Sequence, residues 1–450
     1  MSLRCVQHKK HVVSTYEDGL TQMIWIWIMA AVAISWLLCR KKAVWYHYIW
    51  MLLPIEMYGI TVAGATIKPY MLFGCLIILC NIQRRRAYKI PVAIFCVVFS
   101  LIVSDILNGL IIASVMQHIM FILIIYIAYC YVNVLNEDVD WLKSIENVTI
   151  ATTIGYGLTF ILAYIAYTIQ PQIGGVYCTD RYSVGMFLRF VSTGGVATVR
   201  LRGFCVDPNS VVTTLIPGAA FALEKLVYEK HKKIYHLIAM MCYGSVVVLS
   251  GSRMALICTL AMVMAVILSG FRQAENKGKW IISFVLFATV LLVVGAYYYQ
   301  EIMTEIYSFF TARAGLNDEA GRLTIWRKNI EWLSENGRLL IGVGQNQIAN
   351  LTTAGKACHN TWLEWICGTG LLIGGGIVIW FFSAPIKFGR YAKQLELKPS
   401  QCLPLLFAYI TTAVCITTVD NITNSVLIFL MAIFNYGRLN RIEESQKLSG

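Results

Sequence analysis

The chain has 450 residues, of which 58% are hydrophobic and only 14% charged, and its mean hydropathy is +0.65. Soluble domains carry roughly 25% charged residues, so a soluble globular protein is excluded and a polytopic membrane protein is indicated. The net charge of +13 does not imply a nucleic-acid partner, because basic residues in the cytoplasmic loops of a multispanning protein account for it.

Residues Met1 to Thr21 are polar and show no signal-peptide pattern. Apolar runs of spanning type then follow in order. They are Met23–Leu38, Val44–Ile60, Pro69–Cys80, Pro91–Leu107, Leu110–Tyr131 and Val148–Ile169 in the first part. Val211–Leu226, Ile234–Leu249, Met254–Leu268 and Trp280–Tyr297 come next, and Thr361–Phe382, Leu403–Thr418 and Ser425–Phe434 close the series. The expected fold is all-α, a polytopic α-helical membrane protein with about 12–13 transmembrane helices and a large helical extracytoplasmic loop. Four parts are expected. Residues 1–169 form an N-terminal bundle, and 170–298 an outer loop with central helices. Residues 299–360 form the large outer loop, and 361–450 the C-terminal helices and tail.

Orientation follows from the basic residues of the short loops. One set, which includes Arg40, Arg84, Lys143, Lys225, Arg272 and Lys387, holds 22 of them, whereas the alternate set holds only Lys68 and Arg253. The first set is placed in the cytoplasm, which puts 170–209 and 299–360 outside. Thirteen spans would place the basic N-terminus (Arg4, Lys9, Lys10) outside as well, so a miscount among the first three runs is expected.

Most of the 14 cysteines lie in apolar runs, without CxxC or zinc spacing, and read as small core or lipid-facing residues. Cys178 and Cys205 fall in one outer loop, where an oxidising compartment permits a disulfide. Asp138-Val-Asp140 has the form of a metal–nucleotide-sugar motif but sits in a short cytoplasmic loop, and a solvated acidic loop is the plainer reading. No Walker A, HExxH or GxSxG pattern and no metal-ligand cluster is present, so ATP-driven, zinc-dependent and serine-hydrolase chemistry lack their usual motifs. No cofactor or metal is expected.

The longest polar interval ends at His359 and Asn360, where the chain re-enters an apolar run. Histidine titrates near neutral pH and can accept a proton from an attacking hydroxyl. The alternative is a surface histidine beside a helix cap supplied by Asn360 or Thr361. Arg202 precedes Gly203 and a turn at Asp207-Pro-Asn209, and Arg253 closes Ser250-Gly-Ser-Arg253 at a helix N-terminus. Helix N-termini favour anions, so a cation added there suggests an anionic partner. Snorkelling to the interface is the competing account. Arg322 opens an amphipathic helix, and Gly342-Val-Gly344 is a glycine-permitted turn.

The order Arg202-Gly-x4-Pro208-Asn209, Ser250-Gly-Ser-Arg253, Gly321-Arg322, Gly342-x-Gly344 and His359-Asn360-x9-Gly370 resembles the O-antigen polymerase/ligase family. The final position of that family's ligase motif departs here, with Ile373 where glycine, threonine or tyrosine is described and Gly374 one residue late. The resemblance implies a bacterial inner-membrane glycosyltransferase, multi-pass, with its active site on the outer face. Its donor would be an undecaprenyl-diphosphate-linked oligosaccharide. Arg202, Arg253 and Arg322 would bind the diphosphate, His359 would act as base, and Asn360, Asn209 and Gly370 would support them. The polymerase reading joins one lipid-linked repeat unit to another and implies a flippase and a chain-length regulator as partners beside the lipid bilayer. A ligase acting on lipid A–core is the alternative. A lipid-linked-oligosaccharide flippase or transporter is a third, for which Glu56, Asp105, His118 and Asp420 in or near spans would be the relevant charges.

Overall fold

The computed structural model describes residues 24–435 apart from 41, 63–64, 84–91, 136–137, 139, 170–187, 194–195, 206, 229–232, 274–321, 353–354, 395–398 and 420. The expected span Trp280–Tyr297, Arg313, Asp420 and Cys178 lie outside the described residues.

The chain begins with α1 (Ile24–Cys39), then a 3-10 turn (Trp45–Tyr48) running into the one-turn α2 (Ile49–Leu52). A hairpin of β1 (Ile60–Val62) and β2 (Ala65–Ile67) leads to α3 (Pro69–Gln83), α4 (Val92–Leu107), α5 (Ile112–Leu135) and α6 (Trp141–Ile169). A second hairpin, β3 (Leu188–Thr193) and β4 (Val196–Leu201), precedes α7 (Pro208–Tyr228), α8 (Lys233–Ser250) and α9 (Arg253–Gln273). Next come α10 (Arg322–Glu335), the short α11 (Ile348–Leu351), α12 (Thr361–Gln394), α13 (Pro399–Cys415) with a 3-10 turn at Ile416–Thr418, and α14 (Ser425–Asn435).

This is a polytopic helical membrane protein. Among the described residues, six helices are long and apolar enough to cross a membrane, namely α5, α6, α7, α8, α12 and α13, and five apolar helices are shorter. One expected span is corrected. Val44–Ile60 is not a single helix, because helical backbone stops at Leu52 and the chain reaches β1 through an irregular turn. The turn holds Pro54, Glu56 and Gly59, residues that remove a donor, bury a charge or weaken helix propensity. The break falls among the first three runs, where the charge pattern pointed to a miscount.

The centre of the bundle is α7, buried without interruption from Pro208 to Glu224 and packed against α6, α8, α9 and α13. The Thr153 hydroxyl of α6 donates to the Leu215 carbonyl of α7 at 2.9 Å. Most buried apolar side chains join one core through the bundle, and a second, smaller core of Leu333, Val343, Ile348, Cys358 and Cys367 lies under α10 and α11.

The helix ends sort into two sets. At one end, Lys225 pairs with Glu146 at 3.2 Å and Lys42 lies 5.4 Å from the Tyr235 ring. Asp138 belongs to this end as a strut. It accepts from His47 Nε2 at 3.0 Å, from the Ser144 hydroxyl at 2.8 Å and from the Asp140 amide at 2.9 Å. Burial lowers the His47 imidazole to about 4 despite Asp138, so the ring is neutral, donating to Asp138 and accepting from Tyr131 at 2.7 Å. The Asp138 carboxylate is thereby used in folding, and Asp140 meets it through its backbone amide. At the other end lie both hairpins, the Ser250–Arg253 turn, the 336–360 loops and the 416–424 turn.

Helix α12 is broken at Gly370, which has φ 83° and ψ 165°. The break frees carbonyls of the preceding turn, and the Gly342-Val-Gly344 segment takes them. The Val343 amide donates to Cys367 O at 3.0 Å and the Gly344 amide to Gly368 O at 2.8 Å, while the Leu371 amide donates back to Leu339 O at 2.9 Å. A Cβ at Gly370 would stand 2.1 Å from Leu340 O, and one at Gly342 would stand 2.3 Å from Gly368 O. The two glycine signals of the sequence are thus two halves of one backbone contact. Below it, Ser114 Oγ accepts from the Gln345 amide and donates to Asp105, both at 3.0 Å, and Asp105 bonds His118 Nδ1 at 2.9 Å.

Gly370→Ala is therefore expected to lose at least ~1–3 kcal/mol from backbone strain alone, and more from the clash. Gly376→Ala, in the same helix with nothing within 4 Å of the added Cβ, is expected to be near neutral. Thermal unfolding of the two variants in detergent measures the contrast, and equal midpoints would contradict the docked-backbone account.

Candidate functional site

The predicted residues come from segments far apart in sequence and meet at the end of the bundle that carries the hairpins. Four helix N-termini open there, each capped by the residue type expected. Asp207 Oδ1 accepts from the Asn209 amide at 2.8 Å, ahead of α7. Ser252 Oγ accepts from the Ala255 amide at 3.3 Å, ahead of α9. Asn360 Oδ1 accepts from the Trp362 and Leu363 amides at 3.0 and 3.2 Å, ahead of α12. Asn424 Oδ1 accepts from the Leu427 amide at 2.9 Å, ahead of α14. Their dipoles place partial positive charge at one end of the molecule.

Arg200 joins three of these pieces. It lies in β4, is buried, and donates through Nε to Ser250 O at 2.6 Å and through Nη2 to Asn209 Oδ1 at 3.3 Å. It thereby holds the hairpin, the start of α7 and the α8–α9 turn together. Asn209, expected as a supporting residue, is the acceptor in this joint. Arg253 is the first residue of α9, and its side chain lies outside the described residues.

Arg202 follows two residues later and is buried at 3% exposure. Its charge lies beside the Tyr58 hydroxyl and the Cys205 thiol. Burial raises both groups, and Arg202 draws both back. The turn is tied to the first hairpin segment by the Met57 amide, which donates to Phe204 O at 3.0 Å. Cys205 points its thiol at Pro54 O, 3.7 Å away.

His359 and Asn360 sit on the other side. The Cys358 carbonyl is pinned by Trp326 Nε1 at 2.7 Å, and Asn360 is fixed by its cap bonds. His359 between them is exposed and has φ 48°, a left-handed conformation uncommon for residues with a side chain. It turns the loop into α12. Arg322, at the first position of α10, donates to Thr418 O at 3.3 Å. The same 416–421 segment meets the start of α12, where the Thr361 hydroxyl donates to Val419 O at 2.7 Å and accepts from the Asn421 amide at 3.0 Å.

The segment before β1 is joined to the 416–421 segment by Glu56, which the sequence offers only as a charge for the transporter alternative. Glu56 is buried, and its Oε2 accepts from Asn421 Nδ2 at 3.3 Å. Its Oε1 has no hydrogen-bond partner among the described residues. Burial pushes the carboxyl above its ordinary value of 4.5, against the pull of Lys68 and then Asn421. Glu56, Lys68 and Asn421 were not among the expected site residues. The available signal was a carboxylate inside an apolar run, which is a functional indicator by default. Gly370 is the one predicted residue outside this group, since nine helical residues, about 13 Å of rise, separate it from Thr361.

Residues 238–381 match the O-antigen ligase family model. The match covers roughly a third of the chain and supports an O-antigen ligase/polymerase-type function in a multi-pass membrane protein. Arg253, Arg322, His359, Asn360 and Gly370 fall within the match, whereas Arg202 and Asn209 precede it. No curated protein matches the chain.

The raised Glu56 carboxyl fixes a pH dependence. The folded state holds this proton more tightly than the unfolded state. Its contribution is therefore fully present below 4.5 and is lost as pH rises through the higher folded value. Glu56→Gln is expected to remove this slope and to be at least as stable as the parent at neutral pH. Thermal midpoints across pH 4–8 for both proteins measure it, and parallel profiles would contradict the buried-carboxyl assignment.

Proposed function

We propose that the chain is a membrane glycosyltransferase that extends a bacterial surface polysaccharide. It takes a glycan from an undecaprenyl-diphosphate carrier and transfers it to a sugar hydroxyl of another lipid-linked repeat unit. The reaction lies on the outer face of the cytoplasmic membrane, as the basic-residue asymmetry indicates. The observation that carries this reading is the bond path from Glu56 through Asn421 to Thr361, which follows the His359–Asn360 turn, at the end of the bundle where Arg202 lies buried. It ties the segment before the first hairpin, which meets the Arg202 turn through the Met57–Phe204 bond, to the start of the helix that follows the histidine.

In this mechanism the diphosphate is the leaving group, and its charge grows as the anomeric C–O bond breaks. Arg202, Arg253 and Arg322 bind it. An arginine fork can make paired, charge-assisted hydrogen bonds to phosphate oxygens, and donors already in place at the developing charge stabilise the transition state. His359 accepts the proton of the acceptor hydroxyl as its oxygen attacks C1, and the electron pair of the broken bond leaves with the diphosphate. A single displacement inverts the anomeric centre. The large outer loop, 299–360, delivers His359 to the site in this account.

A ligase that transfers the glycan to lipid A–core uses the same donor half, and the description of the matched family favours it. The departure at Ile373 from the ligase motif favours the polymerase.

Complementing a deletion strain with His359→Ala is expected to leave single repeat units where the parent makes a ladder, since losing a general base costs ~10²–10⁴ in rate. Arg253→Lys is expected to shorten the ladder, because lysine keeps the charge but loses the planar fork. Gel electrophoresis of surface polysaccharide, with protein level measured alongside, reads both. A full ladder from His359→Ala at normal expression would end the base assignment. Loss of polymer on lipid A–core, with lipid-linked polymer retained on deletion of the gene, would select the ligase.

A further inference from the structure

Two cysteines stand on either side of the His359–Asn360 turn. Cys358 precedes it, and Cys367 lies on the first part of α12, just ahead of the glycine-docked break. Both are fully buried, at 0% and 1% exposure, and their sulfur atoms are 3.5 Å apart. They face each other in the small second core, with Leu333, Val343 and Ile348 around them. The surroundings hold each in place. Trp326 and Asn329 of α10 bond the Cys358 carbonyl and sulfur at 2.7 and 3.4 Å. Asn329 is in turn held by the Thr352 hydroxyl at 2.8 Å. The Cys367 carbonyl accepts from Val343 at 3.0 Å. The pair is thus where α10, the glycine loop and α12 meet.

We propose that Cys358 and Cys367 form a disulfide that clamps the His359–Asn360 turn to the first turns of α12. The inference rests on the outer-face placement of this loop, where disulfides form and persist. A bond length of 2.03–2.05 Å requires the sulfurs to close by about 1.5 Å. In the step, the two thiols lose two protons and two electrons and one S–S bond forms. The electrons pass by exchange to the disulfide of a thiol–disulfide oxidoreductase of the outer compartment, which leaves as its dithiol. The bond closes as the segment folds, before the second core shuts over the thiols. A core of this size has few apolar side chains, which is the circumstance in which small units are stapled covalently. Cys258 of α9 and Cys415 at the end of α13 also neighbour each other, but a bond there would join two bundle helices and leave the His359–Asn360 turn unclamped. The pairing of Cys205 with Cys178 falls on a partner outside the described residues.

Trypsin leaves both cysteines, and no others, in the single peptide 357–387. The full chain is isolated from membranes without reductant, denatured in excess maleimide and digested. The expected peptide is two hydrogens lighter than the dithiol form and carries no maleimide until it is reduced. A peptide carrying two maleimides overturns the proposal. Reductant is expected to lower the thermal midpoint of the parent by several degrees and to leave the Cys358→Ser/Cys367→Ser and Cys358→Ala/Cys367→Ala pairs unmoved. An equal shift in all three overturns the clamp. A separate arm labels Lys356→Cys in intact cells with a membrane-impermeant maleimide. Labelling together with free thiols at 358 and 367 defeats the disulfide alone. Failure to label defeats the outer-face reading and is distinguished from the first result by the peptide mass.

Discussion

Arg200 is the joint on which the hairpin-bearing end of the bundle depends. A buried guanidinium costs several kcal/mol unless its donors are met. Here they are met by a turn carbonyl at Ser250 and an amide oxygen at Asn209. Those two acceptors belong to the α8–α9 turn and the start of α7, so the solvation of one charge fixes the relative position of three segments. The arrangement answers a general constraint of the membrane environment, where backbone and charged groups not served by water must be served by the protein. The same rule explains the broken α12. Opening a helix at Gly370 leaves carbonyls that need donors, and the amides of Val343 and Gly344 supply them.

From this frame the electrostatics of the candidate site follow. Lys68 lies beside the buried Glu56 carboxyl, and burial makes both groups reluctant to ionise. Helix N-termini add positive potential. In the proposed mechanism it is the diphosphate, an anion with several oxygens, that Arg202, Arg253 and Arg322 would bind. Glu56 has a second effect. Its bond to Asn421 couples the segment before β1 to the start of α12.

Much of this was legible in the sequence, and the exceptions have physical causes. Helices α5 to α9 and α13 follow from apolar runs bounded by polar caps. Arg202, Arg322, His359 and Asn360 were chosen from motif order, and the structure brings the segments that carry them to one end. Glu56 stood out only as a charge in an apolar run, relevant to a transporter, because its partner Asn421 is 365 residues away and no local pattern reports such a contact. Val44–Ile60 was read as a helix because hydropathy averages over Pro54 and Gly59, which break the backbone without lowering the mean enough to show. Gly342 and Gly370 were each visible as glycines, but their mutual contact was not, since a requirement for close backbone approach leaves no mark beyond the missing side chain. Asp138 shows the reverse case, one of two aspartates with the look of a metal motif whose carboxylate serves as a strut for His47 and Ser144.

The central claim is that one end of the bundle gathers a diphosphate site from β4, the α8–α9 turn, the start of α12 and the 416–421 segment. The most direct measurement is photo-crosslinking of the purified chain with a polyprenyl-diphosphate oligosaccharide that carries a diazirine next to the diphosphate, followed by peptide mapping. The account predicts adducts within 197–209, 250–256, 356–363 and 416–424, suppressed by excess unmodified polyprenyl diphosphate. Adducts concentrated at the opposite end, within 38–46 and 138–147, or spread evenly along the apolar helices, would contradict it.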